Sequence, residues 1–238
     1  MPAPSLSIVF PAFNEERRLP GSLEVLNGYL DDYFPDAEVI VADDGSTDST
    51  ADTVRASASR FPRVRLLSLP HRGKGNAIQA GMLEATGEVR LFMDVDLAVP
   101  VETIAEATTR AGSHDIVIGS REISGSLRLG EPRSRHLMGR VFNFAVRLIA
   151  GINQSDTQCG FKAFTAKATE SLFPHQRSSG FGFDVELLVL AKKRVLSVDQ
   201  LPVEWHYGPE SRIRWHHPFR MLLEVVAIRA RSLRGTYD

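Results

Sequence analysis

The sequence predicts an α/β fold: a Rossmann-like, mostly parallel sheet with helices on both faces, closed by C-terminal amphipathic helices. Three observations predict it. Short apolar runs alternate with helical periodicity through residue 120, the pattern of a parallel sheet with crossover helices. Runs such as Val39-Ile40-Val41-Ala42 are apolar without alternation, as expected of strands buried on both faces. The chemically distinctive residues follow these runs, and open sheets of this kind bind ligands beyond the carboxyl ends of their strands.

Strands are expected at residues 5–10, 38–42, 64–69, 88–93 and 115–119, and helices at 15–33, 48–60, 73–86 and 101–111. Pro11-Ala12-Phe13-Asn14-Glu15 follows the first strand, Asp43-Asp44-Gly45-Ser46 the second, Asp94-Val95-Asp96 the fourth and Gly119-Ser120-Arg121 the fifth. Beyond that point the pattern is less regular. Residues 122–135, rich in Gly, Ser and Arg, read as a mobile loop. Residues 136–151 form a basic amphipathic helix, 156–165 a short strand region, 181–194 a helix, 198–205 a strand and 218–233 a final helix. No repeat, low-complexity tract or linker divides the 238 residues. A single catalytic domain over 1–238 is expected, in two halves of about 1–120 and about 121–238.

Net charge is −1, which gives no overall bias toward polyanions. The two halves differ. Residues 1–120 hold 10 Lys and Arg against 18 Asp and Glu, a balance of −8, and residues 121–238 hold 18 against 11, a balance of +7. That polarity fits a metal–nucleotide side and an anion-facing side. The basic residues lie in one half only and no recognition motif for nucleic acid is present, so nucleic acid is not an expected partner. The single cysteine, Cys159, cannot form an internal disulfide and is expected to pack as a small apolar residue. The N-terminus shows no leader pattern, and no apolar run approaches the roughly 20 residues that span a bilayer. A soluble or peripheral protein is expected.

Among the candidate sites, Asp94 and Asp96 are the sharpest. Residues two apart on an extended chain share a face. Two carboxylates there repel unless a cation or donors compensate, and Mg²⁺ commonly takes one or two carboxylates and leaves its other positions to water and phosphate. Asp43 or Asp44 could accept from a base or a ribose, although Asp-Gly turns before a helix capped by Ser46 are common in their own right. Gly73-Lys74-Gly75 opens a helix, where a lysine can contact a diphosphate, but the spacing is not that of a P-loop. Arg121 and Arg128, with Arg133, Arg135 and Arg140, make one cationic segment and Arg212 with Arg214 another. Guanidinium groups suit phosphate; solvated basic loops have the same composition. The helices at 136–151 and 218–233 mix bulky apolar residues with arginines, which suits either a membrane interface or ordinary core packing.

Taken together, Phe10-Pro11-Ala12-Phe13-Asn14-Glu15-Glu16, Val41 to Thr50, Arg72-Gly73-Lys74-Gly75, Asp94-Val95-Asp96 and Gly119-Ser120-Arg121 resemble the family 2 inverting glycosyltransferases of the GT-A fold. Asp156-Thr157-Gln158-Cys159-Gly160-Phe161-Lys162-Ala163-Phe164 and Phe183-Asp184-Val185-Glu186 resemble the group of dolichyl-phosphate glucosyltransferases and polyprenyl-phosphate sugar synthases. The resemblance implies that Pro11, Phe13, Glu15 and Asp43 line the nucleoside pocket with Asp44 close by, and that Lys74 approaches the donor. It implies that Asp94, Val95 and Asp96 form the metal–nucleotide motif, with Asp96 the surer ligand of Mg²⁺ or Mn²⁺. Arg121 would bind the acceptor phosphate, Asp156 and Asp184 would face the sugar, and Arg212 and Arg214 would sit near donor or lipid phosphate. Two departures stand out. Ala98 occupies the place where some mannosyl relatives put a Gln metal ligand, and the membrane-spanning segments of many relatives are missing.

The expected reaction moves a sugar from a nucleotide sugar to a polyprenyl or dolichyl phosphate with inversion. UDP-glucose is the expected donor and GDP-mannose the runner-up. A phosphate acceptor needs little help from a base; a soluble hydroxyl acceptor would need one, with Asp184 or Asp156 as the candidate. Peripheral contact with the cytoplasmic face of a membrane, or with a membrane partner, is expected, and a homodimer is compatible with the sequence. The competing expectations are a nucleotide-binding module without turnover, against which the intact carboxylates argue, and a nucleotidyltransferase. The latter would carry a Gly-rich loop where this chain has Pro11 to Glu15.

Overall fold

The computed structural model describes residues 5–208 and 217–237, except for the side chains of 217–219. Its centre is a seven-stranded sheet in the order β3-β2-β1-β4-β7-β5-β8. The strands are β1 (Leu6–Ala12), β2 (Glu38–Asp43), β3 (Val64–Ser68), β4 (Val89–Met93), β5 (Ile116–Ser120), β7 (Phe161–Thr165) and β8 (Val198–Pro202). All neighbours pair in parallel except those of β7, which runs antiparallel between β4 and β5. Two short strands, β6 (Leu127–Leu129) and β9 (Glu204–His206), form a separate parallel pair.

Both faces of the sheet are covered. Alternate strand residues Ile8, Phe10, Val39, Val41, Leu91 and Met93 pack with α1 (Leu19–Tyr33), α2 (Thr50–Arg60) and α4 (Thr103–Ala111). Their neighbours Val9, Ile40, Phe92, Ile118 and Phe164 pack with α3 (Lys74–Glu84), α6 (Ala166–Leu172), α7 (Phe183–Lys193) and α8 (His217–Leu233). Helix α5 (Arg133–Ala150) joins that second layer through Val146 and Ala150. Two-sided burial accounts for the unbroken apolar runs in the sequence.

Several expected boundaries shift for identifiable reasons. Helix α1 begins at Leu19 rather than residue 15, because Asn14 has φ +54° and the chain turns through Glu15–Arg18 before Pro20 sets the first helical turn. Ser46 does not cap α2. Its hydroxyl bonds Asp43 and accepts from the Asn14 N–H, and Asp48 instead accepts the Thr50 N–H at 3.0 Å. The loop expected over 122–135 contains β6 and ends at Pro132, after which α5 is already helical. The strand expected over 198–205 is divided into β8 and β9.

Register explains how the second half reaches the first. Met93 pairs with Phe161, so β7 enters the sheet at the edge where β1, β2 and β4 end. The loop before β7 is thereby delivered to Asp94.

Candidate active site

The edge beyond β4 holds a cluster of charge. Lys74, the first residue of α3, places Nζ 2.5 Å from Asp94 Oδ1. Asp94 is partly exposed, and its other oxygen lies over Gly160: a Cβ built on that glycine would fall 2.0 Å from Oδ2. A side chain at this position would displace the Asp94 carboxylate from where it stands. Val95 turns inward into the core and its carbonyl accepts the Ser22 hydroxyl. Asp96 accepts the Ala98 N–H at 3.1 Å. Burial and the Asp94 charge push the Asp96 carboxyl above its ordinary value, against the Ala98 N–H and Lys74. The Lys74 ammonium is held above its ordinary value: burial opposes it, and Asp94, Asp184 and Asp96 outweigh burial. Met93, Asp94, Ala98, Val99, Gly160 and Trp205 line a small cleft here.

Asp184, in the first turn of α7, is buried and accepts from Lys162 Nζ. Burial raises its carboxyl, while Lys162 and Lys74 pull it down. Lys162 was not singled out from the sequence. It lies on β7 between Phe161 and Ala163, where a lysine in an apolar run reads as an exposed position, yet it is fully buried.

Arg121 and Asp156 form a closed pair. Arg121 Nε and Nη2 donate to Asp156 at 2.6 and 3.0 Å, and the Arg121 backbone N–H adds a third bond at 3.0 Å. The guanidinium also lies over the Trp205 ring at 5.3 Å. Burial alone would raise the Asp156 carboxyl, but the Arg121 charge outweighs it and holds the group at about 2. A carboxylate so acidic and so fully bonded is a poor proton acceptor, so Asp184 is the better placed of the two candidate bases. Cys159 is buried and burial pushes its thiol up to about 11, which agrees with a packing role and leaves no nucleophile at neutral pH.

At the ends of β1 and β2, Phe13 stacks on His71 with centroids 4.2 Å apart. Asp44 anchors the loop before α3, accepting from the Arg72 N–H at 2.8 Å, the Gly73 N–H at 2.8 Å and His71 Nδ1 at 2.8 Å. Asp43 is bonded to Ser46, Glu15 is paired with Arg18 at 3.1 Å, and Pro11 is half-buried beside them. The expected nucleoside residues therefore share one edge, with Asp44 acting mainly on the loop. His71 was missed; its only sequence cue is its place beside Arg72-Gly73. The N–H groups of Gly75 and Asn76 are bound by the Ser179 carbonyl, so what this turn offers a diphosphate is the Lys74 side chain. Arg212 and Arg214 lie outside the described residues.

Among the described residues no three His, Cys, Asp or Glu side chains converge on one point. Two hard carboxylate donors at one strand end, Asp94 and Asp96, fit a Mg²⁺-like ion that keeps water and phosphate as its other ligands.

Residues 7–173 match glycosyl transferase family 2. The chain is 36% identical to the dolichyl-phosphate beta-glucosyltransferase ALG5C of Trichomonas vaginalis, over 93% of this chain and 70% of that protein. It is 32% identical to the human dolichyl-phosphate beta-glucosyltransferase, over 99% and 78%. Among solved structures it resembles glucosyl-3-phosphoglycerate synthase of Mycobacterium tuberculosis. The complex with UDP superposes with a TM-score of 0.72 at 22% identity, over 96% of this chain and 80% of that one. A complex of the same protein with Mn²⁺, UDP-glucose and phosphoglyceric acid gives a TM-score of 0.69 at 22% identity, over 98% and 80%. The sheet order, the carboxylate edge and these likenesses agree: this chain is a GT-A-fold glycosyltransferase and belongs to glycosyltransferase family 2.

Proposed function

We propose that the protein transfers glucose from UDP-glucose to a polyprenyl or dolichyl phosphate, with inversion at the anomeric carbon. The observation that carries this is the convergence of Lys74, Asp94 and Asp96 at one strand edge, in a chain whose relatives of 30–36% identity include dolichyl-phosphate beta-glucosyltransferases. Asp94 and Asp96 would hold a Mg²⁺ or Mn²⁺ ion, which when bound supplies positive charge against the donor diphosphate. Lys74 binds the same diphosphate and keeps Asp94 in place. Phe13, Pro11, Glu15 and Asp43 bound the nucleoside side, with Asp44 and His71 holding the adjoining loop.

The acceptor phosphate is already anionic at neutral pH. One of its oxygens forms a bond to the anomeric carbon as the bond to UDP breaks on the opposite face, and the electron pair leaves on the diphosphate. Positioning and charge neutralisation do most of the work. Arg121, held rigid by Asp156 and Trp205, presents its remaining guanidinium edge to the acceptor, with Arg212 and Arg214 as further phosphate ligands. If the acceptor were a hydroxyl instead, Asp184 would serve as the base.

The polyprenyl tail calls for a lipid surface. No helix among the described residues is long and apolar enough to cross a membrane. Leu137, Met138, Val141, Phe144 and Leu148 of α5 are 64% to 73% exposed, beside Arg133, Arg140 and Arg147. Leu223, Val226 and Leu233 of α8 are exposed as well. A basic amphipathic surface of this kind suits peripheral attachment to anionic lipid, here at the cytoplasmic face.

The test is a screen of nucleotide sugars with a short polyprenyl phosphate, with Mn²⁺ and with chelator. UDP-glucose with metal should give glucosyl phosphate lipid; turnover with GDP-mannose alone would overturn the donor assignment. Vesicles containing anionic lipid should retain the protein at low salt and release it at high salt, and no retention at low salt would point to a soluble acceptor.

A further inference from the structure

Among the described residues Lys162 is the most deeply buried cation. Its residue exposure is 0%, it stands on the central antiparallel strand, and it is neighbour to Phe92 and Ile118 in register. A lysine in such a place is costly unless paired. Its ammonium has three protein contacts: the Cys159 carbonyl at 2.7 Å, the Asp184 carboxylate, and the face of the Phe92 ring at 5.5 Å. Asp184 also feels Lys74 and Asp94. Charges therefore alternate from the core to the sheet edge: Lys162, Asp184, Lys74, Asp94.

In this row two carboxylates compete for Lys74. Asp94 holds it at 2.5 Å; the first turns of α3 and α7 are packed together, a Cβ on Gly75 falling 2.8 Å from Phe183 Cβ, which brings Asp184 within electrostatic reach of Lys74. With Lys162 present, Asp184 already has a cation. Without Lys162, Lys74 is the cation among the described residues left to compensate the buried Asp184 carboxylate, and would be drawn toward it and away from the strand edge.

We infer that Lys162 is a positioning residue: by neutralising Asp184 from inside the sheet, it leaves Lys74 available to Asp94 and the donor diphosphate. This rests on the proposed function, in which Lys74 binds the donor. In charge terms, Asp94, Asp96 and Asp184 face two ammonium groups in the native protein and one in a Lys162→Met variant. Adding Asp184→Asn to that variant restores the native balance. Methionine keeps an unbranched, flexible stem like that of lysine and removes the ammonium, so the packing of the stem changes little.

The experiment measures kcat and the KM for UDP-glucose, with a short polyprenyl phosphate as acceptor, for Lys162→Met, Asp184→Asn and the double variant, with thermal melts to confirm folding. Lys162→Met should lower kcat/KM for the donor by roughly a hundredfold and leave the KM for the acceptor unchanged, because an unpaired buried charge disturbs its nearest cation. Asp184→Asn should lose about fivefold, and the double variant should return to within about threefold of Asp184→Asn, as expected for residues that act as one unit. A merely structural lysine would not be rescued by removing its partner. A folded Lys162→Met variant with native turnover, or a double variant more than about tenfold below Asp184→Asn, would overturn the inference. If Lys162→Met fails to fold, the comparison of the double variant with Asp184→Asn decides alone. If Asp184→Asn binds UDP but has no turnover, the phosphate-nucleophile scheme has failed instead. UDP affinity then tests Lys162: weakened in Lys162→Met and restored in the double variant supports the inference, and unchanged in both contradicts it.

Discussion

Two charged groups flank the sheet edge and are built on opposite plans. The Arg121–Asp156 pair is closed: bidentate, backed by backbone N–H groups, buried and stacked on Trp205. The Lys74–Asp94–Asp96 group is open: one ammonium serves two carboxylates, and Asp94 reaches solvent. The closed pair has used most of its capacity within the protein: Asp156 is fully bonded, and Arg121 keeps only the part of its guanidinium that Asp156 does not hold. The open group carries charge that the protein leaves uncompensated, which a cation and a diphosphate can complete. The same residue types thus give a strut in one place and a binding edge in the other.

Breaking the open group should cost chemistry and leave the fold. Asp96→Ala should reduce metal-dependent turnover by about a thousandfold, the scale of losing the ligand that neutralises a leaving group, with a melting temperature near that of the native protein. Full activity of that variant in chelator would remove the metal from the account. Breaking the closed pair should cost the fold as well. Arg121→Met leaves the Asp156 carboxylate buried without its cation and should cost about 3–5 kcal/mol of stability, read by urea titration; a loss below about 1 kcal/mol would mean that the pair is not as desolvated as its geometry indicates.

Acid should find the closed pair as well. The Asp156 carboxyl is depressed in the folded protein to about 2, below its unfolded value. Its contribution is therefore complete above about pH 4 and is lost as pH falls toward 2, an effect of roughly 2 kcal/mol. Asp156→Asn should flatten that part of the stability curve, and an unchanged curve would contradict the assignment. The mildest perturbation is Gly160→Ala. Its Cβ would fall on the Asp94 carboxylate, so that side chain must swing away, weakening UDP binding in the presence of Mn²⁺ by about tenfold while the fold persists. Native affinity would show that Asp94 does not need its observed position.

How far the sequence foretold these two regions follows from the range of the interactions that make them. Asp94 and Asp96 follow directly on their own buried strand, so local pattern finds them. The alternating first half is legible for the same reason, because each strand and helix declares its own period. The antiparallel insertion of β7 is not, since Phe161-Lys162-Ala163-Phe164 reads as an amphipathic strand until Asp184 is known to lie beneath Lys162. The β6–β9 pair joins three-residue segments 77 positions apart, and nothing local marks either one. The closing of Arg121 on Asp156 likewise depends on β5 and β7 being neighbours. Read singly, Arg121 is a phosphate ligand and Asp156 a candidate base; the pairing adds that each restrains the other.

The central claim is that the open edge of Lys74, Asp94 and Asp96 receives the donor diphosphate together with a divalent ion. Calorimetric titration of UDP tests it most directly, with Mn²⁺ and with chelator, on the native protein and on Asp94→Asn. Mn²⁺ should tighten UDP binding to the native protein by about tenfold or more and should have little effect on the variant. Equal binding with chelator, or a Mn²⁺ effect that survives in Asp94→Asn, would contradict it.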